Sequence, residues 1–272
     1  MIDAKLPIGV FDSGMGGLTV LRALQAAMPG ESFIYLGDSA RLPYGNKTTE
    51  TVQEYALQAS AALVERGIKA LVIACNTASA AALPLLVKTY APLPVFGVIE
   101  PGAQAAASAA ADAEVLVLAT EGTVMDGTYQ RALLAANPDL SVYARACPLW
   151  VTLAEQGYAE DSQESGMVAD AVLSHALRGF RHRRLVLLLG CTHFPVFRHK
   201  LAALLDDAAV IVDSAQTTAL QVADALKSDN AGASGDVTFL ATDGAERFRR
   251  VGAYFLGKAI GAVELVKIQP LG

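Results

Sequence analysis

The chain is poor in cysteine, with three in 272 residues. Cys75, Cys147 and Cys191 form no C-x-x-C pair, and their odd number does not read as a disulfide framework. Cys191-Thr192-His193 alone is a poor ligand spacing, so no metal is expected. Long apolar runs are also missing. Residues 103–120 come nearest to the roughly 20 needed for a membrane span, and Gln104, Ser108, Asp112 and Glu114 interrupt them. The start, Met1-Ile2-Asp3-Ala4-Lys5, lacks the charged-then-apolar pattern of a signal peptide, so a cytoplasmic protein without membrane association is expected. Positive charge is scarce as well: 21 Lys and Arg against 27 Asp and Glu give a net charge of −6, which disfavours nucleic acid as a partner. The one basic cluster, Arg178, Arg181, His182, Arg183 and Arg184, reads as a solvated helix end and loop. The glycine-rich run from Asp12 to Gly17 is not G-x-G-x-x-G, because Thr19 takes the last position, and no G-K-[ST] follows. A nucleotide cofactor is therefore not supported.

What is present is an alternation of β-like and helix-like runs. Strands are expected at 8–11, 33–36, 70–74, 95–99, 115–119, 141–144, 185–189, 210–212 and 237–240. Several are continuously apolar, as in parallel sheets covered on both faces. Helices are expected between them, at 17–28, 50–66, 78–89, 103–111, 127–136, 167–178, 196–205 and 215–227. The pattern predicts an α/β fold of two similar domains, each a mostly parallel sheet flanked by helices, with the active site in the cleft between them. The expected division is 1–99 with 211–272 for the first domain and 100–210 for the second. Working residues in such sheets sit at the carboxyl ends of strands. Asp12-Ser13-Gly14, Gly37-Asp38-Ser39, Cys75-Asn76-Thr77, Thr120-Glu121-Gly122-Thr123 and Cys191-Thr192-His193 all fall at such ends.

Cys75 and Cys191 each follow a buried-type run and each is followed by polar residues. Cys147 fits the reading of a small buried hydrophobe; the other two fit it poorly. A thiol at a helix N-terminus is expected to titrate closer to neutrality than a free one and to serve as acid or base. Two thiols on opposite faces of one carbon would remove a proton from one side and return it from the other, inverting a stereocentre without a cofactor. A single cysteine nucleophile beside His193 is an alternative that leaves Cys75-Asn76-Thr77 unexplained, and a binding module that exchanges no proton is another. Asp12 brings a carboxylate to a strand tip, where it meets either a substrate ammonium or a catalytic group. His193 is placed to tune or relay the proton of Cys191. Pro43-Tyr44-Gly45-Asn46-Lys47 is a candidate lid over the cleft. Glu155 reads as an ordinary exposed helix residue. Apolar surface and size are compatible with a homodimer.

Six separated motifs carry a resemblance: Gly9-Val10-Phe11-Asp12-Ser13-Gly14-x-Gly16-Gly17-Leu18-Thr19, Gly37-Asp38 with Pro43-Tyr44-Gly45, Ala74-Cys75-Asn76-Thr77-Ala78-Ser79, Ala119-Thr120-x-Gly122-Thr123-Val124, Cys147-Pro148-Leu149, and Leu189-Gly190-Cys191-Thr192-His193-Phe194-Pro195. In this order they resemble the glutamate racemases of the cofactor-independent aspartate/glutamate racemase superfamily. The resemblance implies conversion of L-glutamate to D-glutamate for peptidoglycan, with aspartate as the alternative substrate. It implies that Cys75 takes the proton from the D-isomer and Cys191 from the L-isomer, with Asp12, His193 and Glu155 assisting. It also implies substrate contacts from Asp12, Ser13, Tyr44, Gly45, Asn76, Thr77, Thr120, Thr123, Thr192 and His193. Met125 departs from the family, which often has serine after the Thr-Val pair.

Overall fold

Strands that read as unbroken apolar runs are covered on both faces. In the computed structural model, which describes residues 3, 5–160, 163–205, 209–227 and 235–269, the strands β1 (Ile8–Asp12), β2 (Phe33–Gly37) and β3 (Ala70–Ile73) are buried at every position. With β4 (Val95–Gly97), and with β9 (Val237–Ala241) and β10 (Val263–Leu265) from the far end of the chain, they form a six-stranded sheet in the order β10-β9-β2-β1-β3-β4. The second sheet has four strands, β5 (Glu114–Ala119), β6 (Val142–Ala146), β7 (Leu185–Gly190) and β8 (Val210–Asp213), in the order β6-β5-β7-β8. Every described pairing is parallel. β10 was not expected, being only three residues long.

The helices α1 (Leu18–Ala27), α2 (Thr49–Val64), α3 (Asn76–Tyr90) and α11 (Ala245–Leu256) cover the first sheet. The second is flanked by α4 (Ile99–Ala110), α5 (Glu121–Asp126), α6 (Thr128–Ala136), α7 (Pro148–Glu155), α8 (Gln163–Ala176) and α9 (Arg198–Leu204). α10 (Ser214–Leu226) packs on both α1 and α4 and so joins the two units. Side chains at strand exits satisfy the orphan N–H groups of several first turns: Cys75 caps α3, Thr120 caps α5 and Asp213 caps α10. Among the described residues no helix is long and apolar enough to cross a membrane.

Two expectations change. The boundary at 210/211 falls inside β8, whose Val210 pairs with Val186 of β7, so sheet membership carries the second domain through Asp213. The strand expected over 95–99 stops at Gly97, because Ile99 already opens α4 and Val98 is its N-cap.

Each sheet has one point where consecutive connections leave in opposite directions. In the first sheet it lies between β1 and β3, flanked by β2 and β4; in the second it lies between β5 and β7, flanked by β6 and β8. Crevices at such points are where parallel sheets bind ligands. Cys75 follows β3 and Cys191 follows β7, so each thiol sits at the switch point of its own sheet.

Candidate active site

The first sheet supplies Asp12, Ser13, Cys75, Asn76 and Thr77 from adjacent strand exits. Cys75 is 6% exposed; its Sγ accepts from the Ala78 N–H at 3.4 Å and lies 3.4 Å from Ser13 Oγ. Burial pushes the Cys75 thiol up to about 12, and the Asp12 charge adds to this against the hydrogen bonds with Ser13 and Ala78. The expected drop toward neutrality is thus reversed: burial outweighs the helix N-terminus. Asp12 is fully buried, accepts from the Gly14 N–H at 2.9 Å, and is itself raised by burial, against the opposing pull of His193.

The second sheet supplies Cys191 and a chain of hydrogen-bonding groups behind it. His193 Nδ1 lies 3.8 Å from Cys191 Sγ, and its Nε2 lies 3.1 Å from Glu155 Oε1. Glu155 sits at the end of α7, and its Oε2 accepts from Arg247 at 2.7 Å. Burial opposes protonation of His193, yet its hydrogen bonds to Cys191 and Glu155 and their charges prevail and raise it to about 10. Glu155 is likewise penalised by burial but is held below the usual carboxylate range by His193 and Arg247. Its side chain is only 9% exposed, so the reading of an exposed helix residue is corrected. Arg247 was not legible in the sequence.

The two halves touch. Thr77 Oγ1 lies 3.0 Å from Thr120 Oγ1 and 3.2 Å from Thr123 Oγ1, which closes a triangle of hydroxyls across the cleft. Tyr129 donates to Asn76 Oδ1 at 2.6 Å, while the buried Asn76 Nδ2 has no partner among the described residues. Thr19 donates to the Thr192 carbonyl at 3.0 Å. Gly16 is also required: a Cβ there would lie 2.5 Å from Thr192 Oγ1 and from His193 Cε1, and closer still to Nδ1. The 43–47 loop closes one side. Gly45 packs on Thr120, and Gly122 packs on the Gly45 carbonyl. The Tyr44 hydroxyl is committed to Asp38 at 2.5 Å, and Asp38 also accepts from Arg41 at 2.6 Å and Thr242 at 2.9 Å. Tyr44 thus anchors the loop from below. Met125, where the sequence departs from the resemblance, is 79% exposed. Cys147 is buried with its thiol pushed up to about 12 by burial, in keeping with a packing role.

Among the described residues no group of three or more His, Cys, Asp or Glu side chains is placed to hold a metal ion. The site presents two buried thiols, a carboxylate beside one and a His–Glu pair beside the other, ringed by hydroxyls, an amide and the first-turn N–H groups of α3 and α5. That set can bind carboxylates and move protons.

The pattern that defines the Asp/Glu/hydantoin racemase family matches residues 12–222. The chain is 43% identical over 267 residues to a glutamate racemase from Geobacter metallireducens, covering 96% of this chain and 97% of the relative. The structure of glutamate racemase from Thermus thermophilus in complex with beta-chloro-D-alanine superposes with a TM-score of 0.86 at 41% identity, over 99% of this chain and 100% of that one. That of Francisella tularensis glutamate racemase in complex with D-glutamate gives 0.87 at 31% identity, over 98% and 99%. An aspartate racemase from Picrophilus torridus shares the fold alone, with a TM-score of 0.58 at 19% identity over 82% of this chain and 94% of that one.

Proposed function

Because the chain belongs to the Asp/Glu/hydantoin racemase family, among its glutamate racemases, we propose that it interconverts L- and D-glutamate by proton transfer at the α-carbon between Cys75 and Cys191. The observation that carries this reading is the placement of one thiol at the switch point of each of two facing sheets. Starting from L-glutamate, the Cys191 thiolate takes the α-proton, leaving the C–H electron pair on the carbon. The Cys75 thiol then donates its proton to the opposite face. D-glutamate leaves with one new C–H bond, and the negative charge has passed from Cys191 to Cys75. The raised Cys75 thiol suits the role of acid in this direction. The reverse direction runs the same steps backward, with Cys75 as base.

The α-proton is very weakly acidic, so the carbanion must be stabilised. A closed site with fixed N–H, hydroxyl and amide dipoles supplies that stabilisation without reorganisation. Asn76 Nδ2 and the hydroxyls of Thr77, Thr120 and Thr123 suit the substrate carboxylates, and Asp12 and Ser13 complete the Cys75 side. Both thiols are 6% exposed, so substrate enters by separation of the two domains. The D-glutamate formed serves peptidoglycan assembly in the cytoplasm.

The test is circular dichroism of L-glutamate with purified protein in deuterated buffer without added cofactor. Loss of optical activity with deuterium at the α-position supports the reading. An unchanged signal without exchange refutes it. Turnover on aspartate, run in parallel, is expected to be far slower.

A further inference from the structure

Arg247 has no place in the chemistry above, yet it is the outermost member of the chain of contacts that ends on Cys191. Glu155, His193 and Cys191 all belong to the second domain, on α7 and at the exit of β7, whereas Arg247 lies on α11, which packs on α1 and β10 of the first. Arg247, Val251 and Phe255 are spaced at i, i+4 and i+8 and share one face of α11. That face meets the relay twice. Arg247 donates to Glu155 Oε2 at 2.7 Å, and the Phe255 ring stands edge-on to His193 with centroids 5.1 Å apart.

We propose that Arg247 is a positioning residue that completes the Cys191 proton relay, and that, because it reaches across from the other domain, the relay is complete only when the cleft is closed. The Cys75 thiol, by contrast, takes its hydrogen-bond partners, Ser13 and Ala78, from its own domain. Closure therefore supplies a hydrogen-bonding partner that the Cys191 side needs and the Cys75 side already has within its own domain. This inference rests on the two-thiol reading.

The charges that bear on the relay can be named from each side. Glu155 faces His193 from the exit of β7 and Arg247 from α11; His193 faces Cys191 and Glu155 and feels Asp12 from the exit of β1. Without Arg247, burial pushes the Glu155 carboxyl up with one fewer cation to oppose it. Glu155 then takes a proton at higher pH, and a neutral carboxyl no longer fixes a charged imidazole beside Cys191.

In Arg247→Gln the acid limb of kcat is expected to move up by about one pH unit and kcat to fall about tenfold, the scale of one charge-assisted hydrogen bond discounted for a half-exposed partner. The equilibrium constant of a racemisation is one, so kcat/KM falls equally in both directions and cannot say which thiol is affected. Primary isotope effects on kcat/KM with α-deuterated substrates can. If the Cys191 step alone is slowed, the effect grows with L-glutamate as substrate and shrinks with D-glutamate. Arg247→Lys, which keeps the charge, should bring the acid limb back toward its original position. An unshifted limb in Arg247→Gln, or isotope effects that change alike for both enantiomers, would overturn the proposal. Failure of the unaltered protein to exchange the α-proton would instead overturn the two-thiol reading.

Discussion

Gly16→Ala is the sharpest test of the relay geometry, because it adds one methyl and removes no titrating group. Gly16 is not among the glycines held at positive φ, so its backbone accepts alanine without strain. The cost comes from contact: the new Cβ would lie 2.5 Å from His193 Cε1 and Thr192 Oγ1, where ordinary contact begins at 3.4 Å. The imidazole would have to retreat by roughly 0.9 Å, the difference between those two distances. Phe255 stands against the ring, so a retreat forces a change in the Cys191 and Glu155 contacts. A displacement near 1 Å in a catalytic group costs about 100-fold in rate, and overpacking a filled site costs about 1–3 kcal/mol of stability. The assay is racemisation followed by circular dichroism, with thermal denaturation of the same sample. Gly261→Ala serves as the control, since a methyl there meets open space. Racemisation by Gly16→Ala within a few-fold of the unaltered protein would show that His193 need not hold its position.

Cys75→Ser and Cys191→Ser are each expected to nearly abolish racemisation, since serine is too weak an acid for either role; near-full turnover by either variant would refute the two-base scheme. Tyr129→Phe leaves the Asn76 carbonyl oxygen without its buried donor, at a cost of about 1–3 kcal/mol. It frees the amide to turn, so the KM for glutamate should rise about tenfold while kcat changes less. His193 is raised from 6.5 to about 10 in the folded protein. It therefore contributes stability that is fully present below about pH 6.5 and is lost as pH climbs to about 10. Urea midpoints of the unaltered protein and of His193→Asn should converge across that window, and a constant gap between them would refute the assignment.

Much of the candidate site was legible because parallel sheets put polar and nucleophilic side chains at strand ends. Cys75, Asn76 and Thr77 stand at the first turn after β3, and Cys191, Thr192 and His193 follow β7, so local pattern alone located them. What escaped the sequence depends on long-range contacts. Glu155 ends α7 and is singled out only by the resemblance, because its burial comes from His193, 38 residues later. Arg247 meets Glu155 across 92 residues, on a helix no apolar strand pattern announces. The Cys75 titration follows the same rule: a helix N-terminus is visible in sequence, but the burial and the Asp12 charge that outweigh it are not.

The strand order of the first sheet also bears on synthesis. β2 pairs on one side with β1, its neighbour in sequence, and on the other with β9, where Phe33 meets Val237. Ribosomes extend a chain at roughly 5–20 residues per second, so on the order of 10–40 s separate the emergence of these two strands. During that interval the second domain can close from contiguous chain, while the apolar edge of β2 waits uncovered. An unpaired strand edge is a template for pairing with other chains. Nascent molecules are therefore most prone to aggregate just before the last helix and its two flanking strands leave the ribosome, and truncation of that segment would strand every molecule in that state.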